Sequence, residues 1–353
     1  MAATVGNLIT ASTYNAIRSR VNKVIGSGDG AEYGYGQTLS SSLMSDNDII
    51  TAQDMQNLYD DLLLAAKHQT GNPPTWSTPD GLNAPSTGEI VGVYAADLGP
   101  ADPNTGEQTS INSVNDIDEG YLDFEQAAVQ IDTNHFDTGA GALSTDIADT
   151  SVRTSPWKTS IDHVFTVQWN SYNHRRTWAN AGGKIRFNAN LTGGTSQPGD
   201  ETNTPPGTKD EIWQTMLNSM GTIEIGVQGT TCTGTGTPSQ NTSIIYTNRS
   251  IPVNWSNTSP ANKQTVFVKS GSGVYSENSY VIEAAEVDDA YIRFYITFND
   301  SDVGDSQAPP EEAEQSVPID ENVTGIVTST ITLITPDGFL DIDQPSVIQD
   351  SAL

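Results

Sequence analysis

Apolar residues recur every three or four positions in two similar stretches near the start of the chain, residues 9–26 and 50–66. Both stretches open with Ile-Thr-Ala, and their apolar residues fall at matching offsets. This spacing puts the apolar side chains on one face of an α-helix. The two predicted apolar faces consist of Tyr14, Ile17, Val21 and Val24 in the first helix and of Met55, Leu58, Leu62 and Ala65 in the second.

Each predicted helix also has a polar start signal. Thr10 and Thr51 can accept a hydrogen bond from an amide of the first turn. Asp54 completes a capping box with Thr51, whereas Thr13 fills that position less well in the first copy. Short helices with one apolar face are not stable alone, so we expect them to pack on each other or on a neighbouring subunit. We therefore predict a helical docking head over residues 1–71.

The segment between the two helices, GSGDGAEYGYGQTLSSS, is rich in glycine and carries Tyr33 and Tyr35. In an extended segment these two side chains point to the same side. The segment lacks the GxxxxGK[ST] pattern of a phosphate-binding loop. We therefore interpret it as a packed loop and count both tyrosines among the candidate interface residues.

The rest of the chain changes from helical to alternating patterns. Residues 72–115 are predicted to form a linker with one short strand, residues 117–131 a third helix, and residues 138–150 a loop. From Trp157 onward, apolar residues alternate with polar ones in several short runs, interrupted by one helix over residues 209–221. The predicted fold class is α+β, with an N-terminal helical head, a linker and a mostly antiparallel β-sandwich-like domain. Residues 116–300 are predicted to form an α+β body that contains the antiparallel sheet.

The last part of the chain, residues 301–353, begins with an acidic, proline-containing loop over residues 301–318. The β-branched stretch VTGIVTSTITLITP predicts a final strand. We expect the residues after it to form a C-terminal tail that orders only against a partner.

Charge narrows the choice of partners. Acidic residues outnumber basic ones by 44 to 15, which gives a net charge of −29. Such a surface repels phosphate backbones and anionic lipids, so we expect neither nucleic acid nor a membrane as partner. The sequence has no signal-peptide pattern and no apolar run long enough to cross a bilayer, which predicts synthesis in a cytosol.

Candidate catalytic or metal-binding residues are sparse. The four histidines and the single cysteine, Cys232, match no HExxH, CxxC or GxSxG motif. We therefore expect no enzyme activity and no cofactor. The acidic run from Asp300 to Asp305 offers the oxygen ligands that Ca²⁺ prefers, although it lacks EF-hand spacing.

One stretch, NHRRTWANAGGKIRF, holds 4 of the 15 basic residues, namely Arg175, Arg176, Lys184 and Arg186. We interpret His174 and the arginines as lying in a turn. The four cations could bind an acidic neighbouring protein, including another copy of this chain. Alternatively, they could form internal ion pairs around one hairpin.

This stretch also resembles a recurring element of virion structural proteins of tailed bacteriophages, especially large contractile-tailed phages of marine bacteria and cyanobacteria. The likeness rests on Arg175, Arg176, Trp178, Asn180, Gly182, Gly183, Ile185, Arg186 and Phe187. Ala179 stands where a second aromatic residue is usual. The head resembles a module of such proteins too, with Gly34, Tyr35, Gly36 and Gln37 as its most recognisable part.

The resemblance implies a tail-fibre, baseplate or neck-associated component that assembles in several copies, and it implies no catalytic residues. The expected partners are other copies of this chain and other virion proteins, and the expected location is the virion, assembled in the host cytoplasm. One alternative is a receptor-binding protein that contacts a host glycan through Trp255 or Tyr275. Two others are a capsid decoration protein and a glycan-degrading enzyme.

Overall fold

The chain folds into two compact units of different architecture. The computed structural model describes residues 10–28, 34–72, 121–194, 208–238, 263–272, 276–301, 306–307, 317–318 and 322–352. The helical unit takes the described parts of Met1–Ser144, Asn180–Gly182 and Pro336–Ile342. The sandwich unit takes those of Thr145–Ala179, Gly183–Thr335 and Asp343–Leu353. The predicted α+β class with a β-sandwich-like region is confirmed.

Three helices form most of the helical unit: α1 (Ala11–Ile25), α2 (Ala52–Thr70) and α3 (Tyr121–Thr133). Helices α1 and α2 both begin with a capping box, although the sequence predicts a complete one only for α2. Thr13 completes the first one, because its Oγ1 accepts from the Thr10 amide at 2.8 Å. Helix α2 ends at Gly71, whose φ of 74° is the left-handed conformation that glycine adopts without strain.

The core of this unit joins the apolar faces of all three helices. It includes Phe124, Ala128 and Ile131 of α3 together with the predicted faces of α1 and α2. Ala181 and Leu340, which are distant in sequence, complete it. Because α3 contributes a full apolar stripe, the unit extends beyond the predicted range of residues 1–71. No helix within the described ranges is both long and apolar enough to cross a membrane.

The sandwich unit contains the strands and nearly all of two further helices, α4 (Tyr172–Asn180) and α5 (Lys209–Met220). Its strands are β1 (Leu143–Arg153), β2 (Thr159–Gln168), β3 (Lys184–Thr192), β4 (Ile223–Gly226), β5 (Gly229–Cys232), β6 (Thr237–Pro238), β7 (Gln264–Ser270), β8 (Ser279–Asp288), β9 (Tyr291–Asp300), β10 (Ser306–Gln307), β11 (Val317–Pro318), β12 (Ile326–Pro336) and β13 (Ser346–Ala352).

The strands pair into two main sheets. One has the order β1-β12-β3-β4-β5, and the other has the order β13-β2-β9-β8-β7-β6, while β10 pairs with β11 alone. Along β9, every second side chain from Ile292 onward is buried, as expected for a strand with one face on the core. Phe187 of β3 and Phe294 of β9 bring their ring centroids to 5.1 Å, so side chains of the two sheets meet in one core.

Two segments expected to lack strands are paired in this structure. Residues 138–150 were expected to loop, but β1 begins at Leu143 and lies beside β12. The C-terminal tail was expected to order only against a partner, but β13 pairs antiparallel with β2 of the same chain, with Val347 opposite Val167. Both expectations were wrong because the pairing partner lies far away in sequence. The predicted short strand at residues 88–99 lies outside the described residues.

Candidate functional site

The predicted docking face of the helical head is buried in the unit's own core. Tyr14, Ile17, Val21, Met55, Leu58 and Leu62 are all almost completely buried. Tyr14 Oη donates to the Asp54 carbonyl at 3.1 Å, and burial raises the pKa of this phenol to about 12. The sequence allows the helices to pack either on each other or on a neighbouring subunit. In this structure they pack on each other.

Tyr35 also belongs to this interior. Its hydroxyl donates to the His135 carbonyl at 2.6 Å and accepts from Gln69 Nε2 at 3.1 Å. Its ring lies 5.0 Å from that of His68, centroid to centroid. The segment that carries Tyr35 is thus a packed loop, as predicted. Tyr33 lies outside the described residues.

His68 is a buried polar group of the helical core. Its Nε2 donates to the Ala181 carbonyl at 2.7 Å, and Nδ1 has no hydrogen-bond partner among the described residues. Burial lowers the pKa of this imidazole to about 4, against the opposing effect of the Ala181 hydrogen bond. His68 is therefore neutral at pH 7 and holds residue 181 in place.

Two of the four clustered cations lie on a helix rather than in the predicted turn. Helix α4 starts where Ser171 Oγ accepts from the His174 amide at 3.1 Å. Arg175 is only 1% exposed, and its Nη2 donates to Glu286 at 3.4 Å. Burial raises the pKa of Glu286 above its ordinary value, and the opposing effect of Arg175 is smaller. Arg176 is buried as well. Neither guanidinium is available to a partner in this conformation.

The other two cations share a single carboxylate. Lys184 Nζ and Arg186 Nη2, both on β3, lie 2.7 and 2.9 Å from the two oxygens of Glu224 on β4. Burial raises the pKa of Glu224, but the hydrogen bonds and charges of the two cations outweigh it, so the pKa is lowered. The ion pairs are therefore internal, as the second alternative predicts, but they do not surround one hairpin, because Arg175 lies on α4 whereas Lys184 and Arg186 lie on β3.

The remaining residues of this stretch are packing residues. Trp178 is buried, its Nε1 donates to Thr335 Oγ1 at 3.2 Å, and its ring makes an edge contact with Trp169. Ala179 is buried too. The residues on which the expected resemblance rests therefore include scaffold residues.

A surface that the sequence reasoning missed is the segment of residues 40–50, called loop 40–50 below. Leu43 and Ile49 are 69% and 84% exposed there, the two highest values among the large apolar residues that the structure describes. The loop also carries Asp46 and Asp48 and no basic residue. In the sequence, this exposed surface is indicated only by an aliphatic residue at each end of a polar Ser-Asp-Asn segment.

Hydrogen bonds fix this loop on the helices beneath it. The buried carboxylate of Asp61 accepts from the amides of Ser40 and Ser41 and from Ser41 Oγ, at 2.6–3.0 Å. Asn15 makes two hydrogen bonds to the backbone of Met44, at 2.7 and 3.0 Å. The loop therefore presents two aliphatic side chains to solvent from a preorganised backbone, which reduces the entropic cost of binding.

Chemical sites predicted from the sequence have little support in the described ranges. There, no cluster of three or more His, Cys, Asp or Glu side chains is arranged to hold a metal ion. Asp300, which opens the acidic run, is buried against Lys209. Residues 302–305 of that run lie outside the described residues, as do the proposed glycan contacts Trp255 and Tyr275.

Comparison with known proteins gives no match: no family model, no curated protein and no solved structure is similar to this chain.

Proposed function

We propose that this chain is a structural component of a tailed-phage virion, associated with the tail, baseplate or neck and present in several copies. The observation that carries the proposal is the stretch NHRRTWANAGGKIRF, which resembles an element of such proteins and whose residues serve packing and internal ion pairs here.

Loop 40–50 is the docking surface in this proposal. Exposed aliphatic side chains on a fixed backbone suit an interface, because they bury apolar area without first having to be ordered. The apolar faces of α1 and α2 do not dock in this proposal, because they are buried and stabilise the helical unit.

The partner in this proposal is another virion protein with an apolar socket bordered by lysine or arginine. Leu43 and Ile49 would enter the socket, and Asp46 and Asp48 would face its basic border. Complementary charge of this kind speeds association and selects the partner. A second copy of this chain fits less well, since a net charge of −29 makes two copies repel each other.

Immunogold electron microscopy on purified particles of the phage that encodes this chain tests the location. Antibody against the sandwich unit is expected to label the tail, baseplate or neck. Label spread over the head would instead identify a capsid decoration protein. No label on intact particles, with the protein expressed in infected cells, would contradict a virion role.

A further inference from the structure

A lysine and an aspartate form a fully enclosed ion pair inside the sandwich unit. Lys209 Nζ lies 3.0 Å from Asp300 Oδ2, and both side chains are 0% exposed. Lys209 is the first residue of α5, and Asp300 is the last residue of β9, 91 positions later. The pair thus joins the start of a helix to the end of a central strand.

Aromatic rings border the pair on both elements. Trp213 lies one helical turn after Lys209, and Phe298 lies two residues before Asp300 on the same face of β9. The ring centroids of Trp213 and Phe298 are 5.9 Å apart, and Trp157 lies 5.4 Å from Trp213. The pair is therefore enclosed, with aromatic side chains on both elements nearby, and neither charged group has access to water.

Amide formation between the two side chains requires that one proton pass from the lysine to the aspartate along this contact. The lysine then becomes a neutral amine, which is a nucleophile, and the aspartate becomes a carboxylic acid. The electrophilic Cγ of Asp300 is one covalent bond from the oxygen that Lys209 already contacts. Fixed placement of two reacting groups at such a separation accelerates their reaction strongly, and an apolar surrounding keeps competing water away.

The neighbouring carboxylate of Asp210 is committed elsewhere. Its Oδ1 accepts from the amides of Thr324 and Gly325 at 2.9 and 2.8 Å, and its Oδ2 accepts from Thr324 Oγ1 at 2.6 Å. Asp210 therefore anchors the residues that lead into β12, and Asp300 is the carboxyl group placed at the amine of Lys209.

We propose that Lys209 and Asp300 become joined by an intramolecular isopeptide bond. The Nζ–Cγ bond forms and a Cγ–O bond breaks, and the departing hydroxyl leaves as water with one proton of the amine. The step releases one water molecule and requires no oxidant, reductant or further reactant. The product ties α5 to β9 covalently, and this tie persists when the chain unfolds. The inference stands on the sandwich unit alone and is independent of the proposed virion role.

The test is the intact mass of the purified full chain under denaturing conditions, followed by tryptic mapping. The wild-type mass is expected to fall short of the sequence mass by one water. Lys209 is the only tryptic site between Arg186 and Arg249, and no tryptic site follows Arg293. The isopeptide bond blocks cleavage after Lys209, so trypsin is expected to release residues 187–249 and 294–353 as one branched peptide.

Two variants serve as controls. Lys209→Arg keeps the positive charge but has no amine that can form the amide, and trypsin still cleaves at that position. The double variant Lys209→Met/Asp300→Leu removes both buried charges together and so leaves neither without a partner. Both are expected to show the full sequence mass. An unmodified wild-type mass with complete cleavage after Lys209 would overturn the proposal. A deficit of one water with normal cleavage there would also overturn it, since that result locates a cyclised aspartate elsewhere.

Discussion

The indole of Trp178 occupies the space into which a Cβ on Gly183 would project. A methyl group built at position 183 overlaps the atoms of the six-membered ring of the indole. The Gly183 amide also donates to the Trp178 carbonyl at 2.9 Å, so the backbone closes tightly around the ring. This contact explains in physical terms why a glycine stands between the end of α4 and the start of β3.

Gly183→Ala is therefore expected to destabilise the sandwich unit. The added methyl must displace Trp178 from its contacts with Trp169 and Thr335, and overpacking of this kind costs roughly 1–3 kcal/mol. Urea unfolding followed by circular dichroism measures the shift. Gly226→Ala is the matched control, because a Cβ there meets only Lys184 Cγ, at 3.8 Å. Equal midpoints for both variants would contradict the argument.

Leu58→Ala is expected to destabilise the helical unit. Leu58 is completely buried between the helices, and removing a buried leucine side chain costs about 2–5 kcal/mol. Leu43→Ala deletes the same atoms from an exposed position and should leave the unfolding free energy within about 0.5 kcal/mol of wild type. Thermal melts of the two variants provide the comparison. A Leu58→Ala protein as stable as Leu43→Ala would mean that this face is not core.

The helices could be predicted because their signals are local. The starts of α1 and α2 follow from Thr10 and Thr51, whose hydroxyls act within three residues. The apolar periodicity of α2 extends to Ala66 and that of α3 to Ile131, so the last turn of α2 before Gly71 has no apolar signal. Helix α4 was missed because Trp178 and Ala179 are its only strongly apolar residues, so it has no periodic stripe.

Like the helices, the strands with a strong local pattern could be predicted from the sequence, and those with a weak pattern could not. Strand β9 could be predicted because buried and partly exposed side chains alternate along its whole length. Strands β1 and β13 have weaker alternation, and each is stabilised by a partner strand that the local sequence does not reveal. The exposure of Leu43 and Ile49 could not be predicted for a related reason, since only the fold shows that these two side chains stay outside the core.

Acid is expected to destabilise both units through one buried histidine each. His163, in the sandwich unit, resembles His68 in that burial lowers its pKa to about 4, with Arg153 adding to the effect and Asp162 opposing it. The unfolded chain binds these protons near pH 6.5, and the folded chain binds them only near pH 4. Stability is therefore full above pH 6.5 and falls as the pH drops to 4, by on the order of 3 kcal/mol per histidine.

The comparison must be made between variants, because protonation of carboxylates in the same range relieves the repulsion of a chain with a charge of −29. His68→Gln keeps a donor for the Ala181 carbonyl, and His163→Leu keeps an apolar volume. Each should flatten the profile of unfolding free energy against pH relative to wild type. Superimposable profiles for wild type and both variants would show that neither imidazole is responsible.

Strand β13 is expected to pair with β2 of its own chain in solution. Gln168 faces Ser346 in the antiparallel register. In a Cys232→Ser background, Gln168→Cys/Ser346→Cys with a short bis-maleimide should give a cross-linked monomer on a denaturing gel. Gln168→Cys/Thr237→Cys is the control, because β6 lies at the opposite edge of the same sheet. A covalent dimer from dilute protein would instead indicate that β13 is exchanged between two copies.

Loop 40–50 leads to a prediction about assembly. Leu43→Ser/Ile49→Ser should fold normally, because both side chains are exposed, but it should enter particles poorly. Truncation of an interface anchor costs on the order of 1–2 kcal/mol, so the double variant should bind at least roughly tenfold more weakly. The measurement is the amount of protein per purified particle, at an expression level that does not saturate wild-type incorporation.

The sandwich unit supplies the matched control for this loop. Val152 and Val287 are also exposed aliphatic residues, each 44% accessible, so Val152→Ser/Val287→Ser likewise replaces two exposed aliphatic side chains by hydroxyls, at positions outside the loop. Normal incorporation of this control together with reduced incorporation of the loop variant would locate docking in loop 40–50. Equal incorporation of the two variants would remove the loop from the assembly pathway, while immunogold labelling would still decide independently whether the chain is part of the virion.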